Sequence, residues 1–403
     1  MSAIDLAEYD PYAEVVLDDP YPFYRALRDE SPVHFVEKWN TWAIARFEDI
    51  WNASMDNEHF TAEQGSSPQY LLTKTIPALP NLNHMDPPSH TKLRAAVAPW
   101  FMPRRVRSLE PTIRGYVTDC IDTFIDRGHA DAIGDLGQIV AVRVATLAVG
   151  FPEEDADYIV DLVKRFLSRE EGTVGMTETG VEAFGEMIGY LEGLAKRRRD
   201  HTGPPETAID VFLQAEVNGE RLSNEVIGQH LVLLLVGATE TFPKVFATSV
   251  MRLAEYADQR AELVAKPELT AQGLRECLRY DMPTQFLMRT VSKPVELGGQ
   301  SLQTGESVMF LYPSGNRDDR EFDDPDRFDI HRVSPRILSF GHGTHRCLGA
   351  FFAELEGRVL LEELLRRIPE YTVDLDAAQR DRTEFIRGFT SMPIAFAPGG
   401  GAT

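Results

Sequence analysis

The strongest hydrophobic pattern in the chain begins after Ser223-Asn224, a plausible N-cap pair, and continues through GQHLVLLLVGATETFPKVFATSVMRLAEY. Its middle, Leu231 to Ala238, is apolar on every side of a helix and therefore predicts burial on all sides. Carried on to Tyr256, such a helix would span roughly 45–50 Å and cross the whole molecule. The other patterns are shorter. YPFYRALRDE reads as a helix, and VHFV and TWAIA flank Lys38 to Asn40 as a hairpin. From Asp86 to about Ala265 the pattern is mostly helical, broken at Pro152, Gly172 and the GPP of 203–205. A helix around Leu274–Tyr280 precedes short strands that turn at Gly298-Gly299. A loop-rich stretch follows over 312–346, then a helix from near Leu348 and a strand-like ending, TSMPIAFA. No internal repeat or long linker divides the chain, which predicts a single domain over 1–403: mainly α with a small β region, threaded by one long buried central helix.

Composition narrows the function classes. The 403 residues carry 63 acidic and 41 basic side chains, a net charge of -22. Nucleic acid and anionic membranes are polyanions and are poor general partners for such a surface, so any local basic cluster stands out. The three cysteines, Cys120, Cys277 and Cys347, form no CxxC pair and offer no disulfide framework, which fits a reducing cytoplasm. The N-terminus lacks the basic and apolar regions of a signal peptide. No uninterrupted apolar run approaches the ~20 residues of a membrane helix. The expectation is a cytoplasmic, monomeric protein.

Three stretches carry candidate chemistry. In Phe340-Gly-His-Gly-Thr-His345-Arg346-Cys347-Leu-Gly349, the glycines allow close approach to a flat ligand, and Cys347 sits where loop becomes helix. Amide N–H groups and the helix dipole there are expected to lower the thiol pKa. A small buried hydrophobe, or a zinc site with His342 and His345 that lacks a fourth ligand, are the other readings of this cysteine. Glu276 and Arg279 share a helix face at i, i+3. Glu240 and Thr241 lie inside the most apolar helix, where an acid is costly unless hydrogen-bonded or functional. Pro243 cannot donate to the carbonyl of Thr239, so the helix should kink or open there. Thr241, four residues after Gly237, can bond back to the Gly237 carbonyl.

Phe340, Gly341, Gly343, His345, Cys347 and Gly349 fill every fixed place of a pattern that resembles the heme-binding loop of the cytochromes P-450, soluble bacterial class. The resemblance implies heme b, iron protoporphyrin IX, with Cys347 as the iron ligand and Phe340 and Gly349 beside it. Glu276-x-x-Arg279 and the PDRFD of 325–329 resemble the family's structural triad, here Glu276, Arg279 and Arg327, which holds the loop beneath the heme. MDPPSHTKLR resembles the propionate-binding segment, giving His90 and Arg94; by the same matching Arg289 and His345 serve the propionates. Gly237-Ala-Thr-Glu240-Thr241 resembles the oxygen-activating stretch, with Glu240 and Thr241 delivering protons. The Phe242-Pro243 that follows departs from the usual Thr-Thr.

The match runs from the YPFYRALRDE helix nearly to the end of the chain. It implies a monooxygenase that inserts one oxygen atom from dioxygen into a small or medium hydrophobic substrate. Electrons would come from NAD(P)H through a separate reductase and a 2Fe-2S ferredoxin, since no flavin or ferredoxin domain is expected within the chain. A peroxide-driven oxygenase, or a heme-based sensor or carrier, is the alternative, and the Glu240-Thr241 pair stands against both. Substrate-facing positions by the same mapping are Tyr70, Leu71, Leu72, Leu82, Leu234, Phe286, Leu287 and Phe389. Basic residues expected on the Cys347 face, Arg104, Arg105, Arg107, Arg336, Arg346 and Arg358, suggest a dock for an acidic ferredoxin.

Overall fold

The long apolar stretch forms two helices in line, Asn224–Thr239 and Thr241–Glu255, interrupted at Glu240. The computed structural model describes residues 5–68, 81–166, 168, 176–201, 203–217, 219–382 and 385–399. Ser223 caps the first helix, its hydroxyl accepting from the Val226 N–H at 3.3 Å. Glu178–Arg198 and Gln138–Ala145 pack on the first helix; a π-helical turn, Ala132–Gly137, and the helix Thr270–Tyr280 pack on the second. Leu231, Leu235, Phe246 and Val250 are fully or almost fully buried in the main core. Each such side chain contributes roughly 1.5–3 kcal/mol by leaving water. Burial on all sides does not hold throughout, however. Gly237 is exposed and Leu233, Leu234, Val236 and Ala238 are only half-buried, because that face borders a large internal cavity.

A five-stranded sheet stands to one side, in the order Val33–Val36, Thr41–Ile44, Ser307–Phe310, Leu287–Val291, Phe60–Thr61. Its pairs are antiparallel except for Thr41–Ile44 against Ser307–Phe310. The first hairpin is the predicted one; Asn40 closes it in the left-handed region (φ 47°). Gly298 and Gly299, at φ 57° and 80°, make the two-residue turn between Val295–Leu297 and Gln300–Leu302. A second, smaller core lies under this sheet, around Tyr24, Leu27, Phe286, Met288 and Met309.

The C-terminal helix spans Ala350–Arg367, two residues later than the pattern suggested, and the strands Arg387–Ser391 and Pro393–Phe396 follow it. The expected break at Gly172 lies outside the described residues. By length and mean hydropathy two stretches could cross a membrane, Ala132–Gly150 and Asn224–Glu255, although polar and charged residues such as Asp135, Arg143 and Glu240 interrupt both. Both are core elements, with 67% of each apolar window buried inside the fold. The architecture is mainly helical with small sheets and a long buried central helix, as predicted.

Candidate active site

The Cys347 loop is held by its own backbone. The Cys347 N–H donates to the Phe340 carbonyl at 2.8 Å, and the Gly341 N–H donates to the Leu338 carbonyl at 2.8 Å. Gly343 turns at φ 68° against Ser54; a Cβ there would stand 2.2 Å from the Ser54 carbonyl oxygen, so only glycine fits. Deep inside the protein, the Cys347 side chain is open to a cavity of about 470 Å³. Burial pushes its thiol pKa up, partly offset by the Gly349 amide and by the charges of Arg94 and Arg346. The expected net lowering is thus corrected: desolvation is the largest influence and outweighs the Gly349 amide and the two arginines. Coordination to a metal ion would deprotonate the thiol outright.

Arg94, Arg289 and His345 line the same cavity. His90 packs against His345, ring centroids 4.5 Å apart, and among the described residues neither of its ring nitrogens has a hydrogen-bond partner. Burial, and then the nearby His345 and Arg94 charges, depress the His90 pKa to about 4. Burial likewise lowers the pKa of Arg289, whose guanidinium donates to the Met288 carbonyl at 2.7 Å. Asp86 stands 3.8 Å from His345 Nε2 and is itself held by the Ala62 N–H. A buried and a half-buried cation at the cavity wall, with His345 there and the unpartnered His90 packed behind it, suit a ligand bearing carboxylates. A flat group with acidic substituents and a metal for Cys347 meets all of these donors at once, and heme is such a group.

Glu276 and Arg279 are 2% and 1% exposed and make a two-pronged ion pair, with both contacts at 2.7 Å. The third member is not Arg327. That side chain is 67% exposed and reaches Asp329 at 3.7 Å, not Glu276. Arg332 takes its place, with Nε 3.2 Å from Glu276 Oε1. Arg327 contributes its carbonyl, which accepts from Arg279 and Arg332. The chain turns after Phe328, so the second arginine of PDRFDIHR points inward. The tie to the Cys347 loop runs through buried Asn316: its carbonyl accepts from Arg279 at 2.8 Å, and its side chain bonds the Leu338 amide and the Ser339 hydroxyl.

Across the break in the central helix, Glu240 is 6% exposed, and both Glu240 and Thr241 line the cavity. Thr241 Oγ1 donates to the Gly237 carbonyl at 3.1 Å, as its spacing predicts. The Thr239 carbonyl accepts from Gln138 Nε2 at 3.2 Å, and the Glu240 carbonyl accepts from Lys244 Nζ at 3.2 Å. Lys244 in turn pairs with Asp381 at 2.8 Å. Gln138, Lys244 and Arg332 escaped sequence reasoning. Pro243 signalled an orphaned carbonyl but could not name its donor. Glu356 escaped it too: buried at the cavity wall, its carboxyl is pushed well above the usual range by desolvation.

Leu82, Leu234 and Leu287 line the cavity as expected, joined by the stacked pair Phe166 and Phe184. Phe286 and Phe389 do not; they are packed into the two cores. Tyr70, Leu71 and Leu72 lie outside the described residues. The basic cluster also needs correction. Arg336 pairs with Glu48 and Glu321, Arg358 pairs with Glu110 and Glu362, and the Arg105 guanidinium sits over the Trp100 ring, 3.3 Å from its centre. Among the described residues Arg104, Arg107 and Arg346 make no ion pair, and Arg346 lines the cavity.

A buried cysteine facing a cavity of this size, with cations at the wall for acidic substituents, defines a heme-thiolate protein. Residues 175–393 match the family model described as Cytochrome P450. The chain is similar to a putative cytochrome P450 123 of Mycobacterium tuberculosis, 34% identical over 389 residues covering 96% of each. It is 32% identical over 380 residues to cyclomarin C epoxidase CymV of Salinispora arenicola, covering 92% of this chain and 94% of that protein. The crystal structure of CalO2 superposes with a TM-score of 0.87 at 31% identity, covering 97% of this chain and 99% of that one. The chain belongs to the cytochrome P450 family, and it is a P450 monooxygenase.

Proposed function

We propose that this single-domain chain inserts one oxygen atom from dioxygen into a small or medium hydrophobic molecule. Electrons come from NAD(P)H through a separate reductase and a 2Fe-2S ferredoxin. The observation that carries the reading is that Cys347 and the Glu240-Thr241 pair line one cavity. Heme b, when bound, supplies the oxygen chemistry, and thiolate ligation favours O–O cleavage. The chain's own groups do the rest. Cys347 would hold the iron, with Phe340 and Gly349 beside it. Arg94 and Arg289 would pair with the two propionates and neutralise charge otherwise buried, and His90 and His345 would offer hydrogen bonds to them. Thr241, anchored on the Gly237 carbonyl, and Glu240, beside it on the opened turn, hold and pass protons into the cavity. Leu82, Leu234, Leu287, Phe166 and Phe184 offer an apolar wall, which supports a substrate that binds mainly by leaving water.

The unpaired cations support a docking face. The helix Pro103–Ser108 packs against the Ala350–Arg367 helix that follows Cys347, which supports Arg104 and Arg107 as part of this dock. An acidic ferredoxin docks there, in a cytoplasmic protein that acts as a monomer. A screen of apolar compounds for a Soret shift, followed by turnover with NADPH, ferredoxin reductase and ferredoxin, tests the function. Oxygenated product is expected. Turnover supported only by hydrogen peroxide, with none from dioxygen, would favour a peroxide-driven enzyme instead.

A further inference from the structure

We propose that Gln138 is a positioning residue for the oxygen-activating turn, acting as the side-chain substitute for the backbone donor that Pro243 removes. The inference rests on the reading of Glu240 and Thr241 as the proton-delivery pair. In a regular helix the Thr239 carbonyl would accept from the N–H four residues on, but residue 243 is proline and has none. Thr239 is buried, so that carbonyl needs a donor from elsewhere. Gln138 Nε2 supplies it at 3.2 Å.

The backbone around Gln138 is shaped for this approach. Gln138 opens the helix Gln138–Ala145, directly after the π-helical turn Ala132–Gly137 that packs on Thr241–Glu255. Gly137 is buried, and a Cβ there would stand 3.0 Å from the Phe246 ring and 3.6 Å from Pro243 Cα. A side chain there would crowd the Phe246 ring and the Ala132 carbonyl, so the small residue suits the close approach. Gly137, Gln138 and Pro243 thus work as one device: the proline opens the turn, the glycine brings the second segment close, and the amide satisfies the orphaned carbonyl. Neither Gln138 nor Thr239 lines the cavity, whereas Glu240 and Thr241, next along the chain, both do. Gln138 therefore acts through the 239–240 peptide, fixing its rotation and with it the aim of Glu240 and Thr241.

The test is a double-mutant cycle of Gln138→Ala and Pro243→Ala in the heme-loaded protein, with two readouts that need no substrate. The Pro243→Ala change restores an N–H that can take the Thr239 carbonyl, so Gln138 should become dispensable in that background. Gln138→Ala alone should lower the folded-to-unfolded ratio by about fivefold, the worth of one hydrogen bond. It should also shift or split the infrared stretch of carbon monoxide bound to the reduced protein, as polar groups of the turn lose their fixed aim. Gln138→Glu, near in shape but without a donor when ionised, should behave like Gln138→Ala. In the Pro243→Ala background both effects should vanish. Equal effects of Gln138→Ala in the two backgrounds, or an unmoved carbon monoxide band beside a lowered melting point, would overturn the proposal. These readouts follow the turn rather than proton delivery. Normal coupling in Thr241→Ala would therefore sink the proton-delivery reading on its own, whatever the cycle shows.

Discussion

Thr241 and Glu240 show how much a single residue's setting decides. A threonine in mid-helix ordinarily bonds back to the carbonyl four residues earlier and stays silent; this one does so beside a break, where the next turn is already loosened. Thr241→Ala should keep substrate binding and NAD(P)H consumption but divert electrons to hydrogen peroxide. Glu240→Gln should slow turnover by about 10²–10⁴-fold, the usual cost of a lost proton-transfer group. Product formed per NAD(P)H consumed checks both. A different residue governs acid stability. His230 is buried on the central helix, stacked on Phe212, and its Nδ1 accepts from the Leu82 N–H. Burial depresses its pKa to about 3 from the ordinary 6.5. Between those values the unfolded chain takes up a proton that the folded chain refuses, so stability falls as pH drops from 6.5 toward 3. His230→Asn keeps an acceptor for Leu82 without the titration. At pH 5 the wild type should have lost about 2 kcal/mol more than the variant relative to pH 7, measured by denaturant unfolding. Parallel pH curves would place the acid sensitivity elsewhere.

At the scale of elements, the Thr270–Tyr280 helix and the 312–346 loops form the support for the cysteine loop. Glu276 is the hub, contacted by Arg279, Arg332 and the Asp329 N–H. Arg332→Ala strips a partner from a nearly buried carboxylate and should cost about 3–5 kcal/mol with loss of heme retention. Arg327→Ala, at an exposed side chain, should stay within about 0.5 kcal/mol of wild type. Melting and heme content of the two variants decide which arginine completes the support; the reverse ranking would restore Arg327. This misassignment shows where sequence stops being legible. Glu276 and Arg279 share a helix face by arithmetic, so their pairing could be read. The choice between two arginines five residues apart depends on the path of an irregular loop, which no periodicity encodes. The same holds for Gln138, about a hundred residues from the carbonyl it serves. By contrast, the helix break could be read, because proline acts on its own backbone.

Over the whole molecule, the central helix, the hairpins and the mainly helical class were legible because each follows from local periodicity or turn chemistry. The cavity was not, since a wall residue and a core residue look alike in sequence: Leu234 borders the cavity while Leu235 is fully buried. Net charge was likewise legible, but which arginines stay unpaired depends on neighbours distant in the chain. Arg104→Glu and Arg107→Glu should slow reduction by an acidic ferredoxin, and the wild-type rate should fall as salt rises. Arg358→Glu should act instead through stability, because its charge is already engaged by Glu110 and Glu362. Salt-independent reduction, or unchanged rates for Arg104→Glu and Arg107→Glu, would move the dock to another face. All of this depends on Cys347 carrying the heme iron. The most direct measurement is the absorption spectrum of the reduced protein with carbon monoxide, for wild type and Cys347→His. The wild type should show the red-shifted Soret band of thiolate-ligated heme, and Cys347→His should lose that band. A wild-type spectrum of the histidine-ligated kind would contradict the account at its root.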